Sequence, residues 1–152
     1  MFFEEHAKLL SDFARVSQAA GARADYVQSG GGNTSVKLPG GLMAIKASGF
    51  CLSDIHPDQA YAVLDGADLR NFYLTTEPSE LADVEKEGSA RAKADVRHID
   101  GLADLRPSVE AGFHSILKTF VVHTHSVYAN LAACSTACRP IAAQAFAGAN
   151  YT

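Results

Sequence analysis

The 152-residue sequence has no basic surplus: 13 lysines and arginines stand against 17 aspartates and glutamates, for a formal charge of -4. The cations are also scattered, so neither the phosphate backbone of nucleic acid nor an anionic membrane surface is an expected partner. No apolar run is long enough to span a bilayer. The opening Met1-Phe2-Phe3-Glu4-Glu5-His6 carries acid where a secretory signal needs a basic segment. A cytoplasmic protein acting on a small molecule is expected. Cysteine is sparse and odd in number: Cys51, Cys134 and Cys138. The last two are four apart, which suits one helical face better than a zinc knuckle or redox pair, so plain buried thiols are expected. Internal repeats and low-complexity linkers are absent. With 47% hydrophobic and 20% charged residues, the chain can bury one ordinary core, and a single domain over residues 1–152 is expected.

Along the chain, Leu9, Leu10, Phe13, Val16 and Ala20 recur at helical spacing and predict an amphipathic helix over 3–20 that ends at Gly21. Two alternating runs, Thr34 to Leu38 and Leu42 to Ala47, flank Pro39-Gly40-Gly41 and predict an antiparallel hairpin. Tyr61 to Leu64 reads as another short strand. The alanine-rich, charge-mixed stretch from Thr75 to about Val96 predicts a solvated helix, interrupted or ended near Gly88. Pro107 reads as the first residue of a helix reaching Lys118, followed by a strand over 119–124 and a helix over 127–133. The hairpin argues for a largely antiparallel or mixed sheet with helices packed on it.

The chemistry concentrates in Phe120-Val121-Val122-His123-Thr124-His125. Residues two apart on a strand point to the same side, so His123 and His125 form a potential metal pincer. Two strand-end histidines can equally make ordinary hydrogen bonds. Glu110 lies shortly upstream, near a helix start, where the macrodipole alone also explains a carboxylate. Beside a bound metal it could instead abstract a proton next to a carbonyl. The glycine loop Gly30-Gly31-Gly32-Asn33-Thr34-Ser35 lacks the Lys-Ser/Thr of a nucleotide P-loop and the spacing of a dinucleotide fingerprint. Its backbone could still cradle an anion, with Asn33, Ser35, Ser48, Gly49 and Ser108 as further donors, although a plain hairpin approach explains the glycines too.

Taken in order, GGGNTSVK, KASG, RPSVEAGFH and VVHTHSVYANLAA resemble the class II aldolase/adducin family. Within it the likeness is to the zinc-dependent aldolases of rhamnulose 1-phosphate and fuculose 1-phosphate, over about residues 5 to 150. The resemblance implies a three-layer α/β/α fold with a mainly antiparallel central sheet flanked by helices, and commonly a homotetramer. It implies zinc, or another divalent metal, held by His123 and His125, with Glu110 as the catalytic acid/base. It places Asn33, Ser48, Gly49 and Ser108 at phosphate-cradling positions. Val109 stands where the phosphate-binding aldolases often have a second serine.

The implied reaction cleaves a ketose 1-phosphate to dihydroxyacetone phosphate and an aldehyde. Related epimerases and dehydratases of sugar phosphates share the scaffold, as do non-catalytic adducin-like oligomerisation modules, and the residues do not separate the enzymes among these. The family's third metal-binding histidine and a C-terminal tyrosine have no match here. His6, His56, His98 and His114 are not persuasive substitutes. The domain is therefore expected to be incomplete at its C-terminus, and this chain alone to bind metal weakly and turn over poorly.

Overall fold

The structure, a computed structural model, describes residues 1–149. Residues 150–152 of the expected domain lie outside the described ones. The helices are α1 (Phe2–Glu5), α2 (Ala7–Gly21), α3 (Gly66–Thr75), α4 (Val84–Ala94), α5 (Ala111–Ile116), α6 (Val127–Cys134) and α7 (Cys138–Ala145). Four strands, β1 (Asn33–Lys37), β2 (Leu42–Lys46), β3 (Tyr61–Asp65) and β4 (Phe120–His123), form one antiparallel sheet in the order β3-β2-β1-β4.

Strand alternation sends Val36, Ala44, Tyr61 and Val63 to one face, where they meet Leu10 and Phe13 of α2. Met43, Ile45 and Leu64 go to the other face and pack on Leu69 of α3, Ala92 of α4 and Ala111 of α5. Helices thus cover both faces of the sheet, the three-layer α/β/α arrangement. Coverage of both faces is why β2 and β3 read as near-continuous apolar runs. Each fully buried Leu, Ile, Val or Phe contributes about 1.5–3 kcal/mol of transfer free energy. Phe13 and Tyr61 meet edge to face at 5.7 Å.

The opening helix is broken at His6, whose φ of -108° interrupts the chain of helical bonds between α1 and α2. The helix predicted over 75–96 is shorter. Pro78 starts only a single turn, and α4 begins after Asp83, whose carboxylate caps Lys86 N–H at 2.9 Å. Gly88 does not end α4, because the Tyr73 ring lies where its Cβ would be, and likewise at Gly112 of α5. These two glycines let α3, α4 and α5 close around one aromatic ring.

The helix predicted from Pro107 begins four residues later. Pro107 bridges to Ala47, and Ser108 N–H donates to the Lys46 carbonyl at 3.3 Å, so these residues run extended along the end of β2. At its other end, α5 is capped by cations. Lys37 Nζ donates to the His114 carbonyl and to that of Lys118, and Arg70 Nη1 donates to Ile116 O at 2.6 Å.

The cysteines also depart from expectation. Cys134 closes α6 and Cys138 opens α7, so they do not share a helical face; Cys134 is exposed and the other two only half-buried. For Cys134 and Cys138 the reason is that α6 and α7, among the described residues, have no buried residue. Among the described residues, no helix is long and apolar enough to cross a membrane.

Candidate metal centre

His123 sits opposite Asn33 in the β1–β4 ladder, at the end of the sheet where the glycine loop enters β1. His125, two residues on, keeps the same side, and the two rings meet at 4.8 Å between centroids. Their approach depends on glycine. A Cβ at Gly31 would stand 3.1 Å from His125 Nδ1, and one at Gly32 would stand 2.7 Å from the His123 carbonyl oxygen.

Glu110 occupies the N-cap position of α5, yet its side chain accepts no hydrogen bond from that helix. Capping therefore does not account for it. The carboxylate is instead turned across the layers, accepting a hydrogen bond from Asn33 Nδ2 and lying 3.2 Å from His123 Nδ1. That Nδ1 is buried and has no aligned hydrogen-bond partner, so its contact with Glu110 is electrostatic proximity rather than a made bond.

One ligand atom from each of Glu110, His123 and His125 lies within 4.8 Å of the others. This donor set, two imidazoles and a carboxylate, is one that catalytic zinc sites use while keeping a position open. Ligand atoms about 2.1 Å from a tetrahedral ion stand roughly 3.4 Å apart. Because His125 is exposed, a rotation of its side chain can close the spread. The orphaned His123 nitrogen and the space left by Gly31 fit the same use.

The remaining histidines stand elsewhere. His6 is buried against the Phe2 ring, and His56 turns toward Gln18. His98 pairs with Asp104 and, less closely, Asp100; the hydrogen bond to Asp104 is the main cause of its raised pKa. His114 is wholly buried, with Nδ1 bonded to Ser35 Oγ at 2.8 Å. Burial first, then the charge of Lys37, pushes its pKa down to about 3, so its ring is neutral.

Of the expected phosphate-cradling residues, Asn33 and Ser108 come together beside Glu110. Asn33 Nδ2 also donates to Ser108 Oγ at 3.1 Å, and Glu110 N–H donates to the same hydroxyl at 3.3 Å. Ser48 and Gly49 form an exposed turn held to the 106–108 segment by Ser48 N–H donating to Arg106 O at 2.9 Å. Gly49 has φ +91° and open space where a Cβ would point. Ser35 stands apart, its hydroxyl engaged by His114 inside the layer beneath.

Lys46 opens the KASG stretch but is not among the residues that the resemblance assigns to the site. Its buried side chain donates from Nζ to Gly30 O at 3.2 Å and Phe50 O at 2.7 Å, drawing the glycine loop and the Ser48-Gly49 turn together. Burial pushes its pKa down, an effect opposed chiefly by Cys51 and then by the Glu110 and Asp54 carboxylates. Only an alternation that places a lysine inward at a strand end hints at such a staple.

Two solved structures share the fold. The N-terminal class II aldolase domain of a conserved protein from Thermoplasma acidophilum is similar at TM-score 0.69 and 22% identity, over 88% of this chain and 62% of that one. YgbL from Escherichia coli, for which aldolase, epimerase or decarboxylase activity is suggested, is similar at TM-score 0.54 and 19% identity, over 85% and 49%. The chain thus spans less than two thirds of the length of either. No curated protein sequence gives a significant match. Residues 11–151 match the Class II Aldolase and Adducin N-terminal domain. With nearly the whole chain inside that match and a three-layer antiparallel fold to go with it, the protein belongs to the class II aldolase and adducin family.

Proposed function

We propose that the protein works as a zinc-dependent lyase of the aldolase type, cleaving a ketose 1-phosphate like those of rhamnulose or fuculose to dihydroxyacetone phosphate and an aldehyde. The observation that carries this reading is the gathering of Glu110, His123 and His125 around one point. His123 and His125 hold the ion, with Glu110 beside it. A divalent ion bound there supplies positive charge to the substrate's carbonyl and hydroxyl oxygens, where negative charge develops on cleavage.

Glu110 moves the proton at the substrate carbon next to the carbonyl. Asn33 fixes which carboxylate oxygen faces that carbon by donating to Oε2. Asn33, Ser108 and the Ser48-Gly49 turn offer neutral donors to the phosphate, with Lys46 holding the loops that carry them. Val109 is 54% exposed and offers no hydroxyl there. A non-catalytic module has no use for an acid turned away from its own helix toward two histidines, and this orientation favours the enzyme.

The half-reaction tests the reading without the aldehyde end of the site. Zinc-loaded protein should exchange the C3 proton of dihydroxyacetone phosphate with solvent deuterium, at least about 100-fold faster than Glu110→Gln. Equal exchange rates in the two proteins would contradict it.

A further inference from the structure

Phe113 stands on α5, one turn beyond Glu110, and off the helix face that packs on the sheet. Ala111, Gly112, His114 and Ser115 are buried, whereas Phe113 is 38% exposed and belongs to neither of the two apolar clusters that form the core. The core therefore does not account for its position. Its ring instead meets two imidazoles. It lies tilted at 37° on His114 with centroids 4.6 Å apart, and edge to face with His123 at 5.5 Å and 75°.

Those two histidines differ in how firmly they are held. The His114 ring is wholly buried and fixed by its hydrogen bond with Ser35 Oγ at 2.8 Å. His123 is the last residue of β4, and among the described residues neither of its ring nitrogens makes a hydrogen bond to another protein group. A metal-binding histidine ordinarily has its second nitrogen tied to a carboxylate, a carbonyl or water, which sets the orientation of the ring. Here that task falls to the neighbouring rings. The His125 ring, 4.8 Å away, belongs to an exposed side chain that can turn, so Phe113 offers the fixed surface.

We propose that Phe113 is a positioning residue of the metal centre. Its ring, seated on His114, holds the His123 imidazole in place before an ion arrives, which makes His123 the preset ligand of the pair. A line of contacts runs from Ser35 through His114 and Phe113 to His123, so the buried interior sets the angle of a ligand at the surface. Edge-to-face pairs are directional, because the positive edge of one ring meets the negative face of the other. Leucine at this position would supply apolar bulk without that direction. The role rests on the metal-centre reading and not on the aldolase reaction, because it concerns only an ion and its ligand.

Zinc binding measured by chelator competition, with Phe113→Leu and Phe113→Tyr beside the parent, tests it. Phe113→Leu should bind about tenfold more weakly, the low end of the range for groups that orient a metal ligand. Phe113→Tyr keeps the ring and should restore the parent's affinity, a rescue that bulk alone does not explain. Melting curves that match the parent's check that both variants are folded. One measurement needs no variant: in the metal-free parent, the ring protons of Phe113 and His123 should show nuclear Overhauser contacts that persist when zinc is added. Missing contacts, a Phe113→Leu that binds as tightly as the parent, or a Phe113→Tyr as weak as Phe113→Leu overturns the proposal. A parent that binds no zinc contradicts the metal centre and this role with it. A parent that binds zinc, with Phe113→Leu binding equally well, contradicts the role of Phe113 alone.

Discussion

Asn33 and Glu110 are 77 residues apart in sequence and joined by a hydrogen bond from the amide nitrogen to the carboxylate oxygen nearest His123. Asn33 therefore orients a ligand rather than serving as one. Outer partners of this kind typically govern metal affinity by 10–100-fold. Asn33→Ala should weaken zinc binding by about that factor, read by competition with a chromophoric chelator. An affinity equal to the parent's would mean that Glu110 holds its place without Asn33.

The glycine loop makes a prediction about stability. Gly32 and Gly40 both have positive φ, +69° and +75°, but a Cβ at Gly32 meets His123 O and Val27 Cγ1 at 2.7 Å, whereas one at Gly40 meets nothing within 4 Å. Gly40→Ala should cost about 1 kcal/mol, the backbone penalty alone. Gly32→Ala should cost about 3 kcal/mol or more, because crowding adds to it. Urea midpoints of the two variants measure the difference, and equal shifts would mean that the loop does not press on β4.

His114 makes the fold sensitive to acid. The unfolded chain takes up a proton near pH 6.5, whereas the folded chain resists until about pH 3. Between these values the unfolded state binds more protons, so stability is full above pH 6.5 and falls as the pH drops toward 3. This one group contributes at most about 1.4 kcal/mol per pH unit. His114→Asn can still bond Ser35 but does not titrate, so its unfolding free energy should decline less steeply over that window. Parallel pH profiles would rule out the buried neutral imidazole.

The last two helices present an apolar surface. Tyr128 and Leu131 are 70% and 71% exposed, and Phe120 and Val122 of the edge strand β4 are also open. Such patches and strand edges promote association. The chain should sediment as oligomers at micromolar concentration, and Leu131→Lys/Tyr128→Lys should shift it toward monomer. A parent that sediments as a monomer would contradict this.

The site was legible where chemistry follows local period. Alternation along the strand expected over 119–124 puts His123 and His125 on one side; β4 in fact ends at His123, yet the two rings still meet at 4.8 Å. A turn between alternating runs marks the β1–β2 hairpin. What stayed hidden depends on contacts distant in sequence. Pro107 looks like a helix start, but its neighbours' hydrogen bonds to the end of β2 hold the segment extended until Glu110. Gly88 looks like a helix stop, but Tyr73 fills the space beside it. Ser35 reads as a loop donor until His114, 79 residues away, claims its hydroxyl. Likewise, no periodicity connects Lys46 with the carbonyls of Gly30 and Phe50. The cysteine spacing misled because it spans the break between α6 and α7.

The central claim is that Glu110, His123 and His125 act together on one divalent ion. Zinc titrated into the metal-free chain, followed by competition with a chelator, tests it most directly. One equivalent should bind, with affinity reduced about 10-fold or more by each of Glu110→Ala, His123→Ala and His125→Ala. Zinc bound equally well by all three variants, or not at all by the parent, would contradict the account.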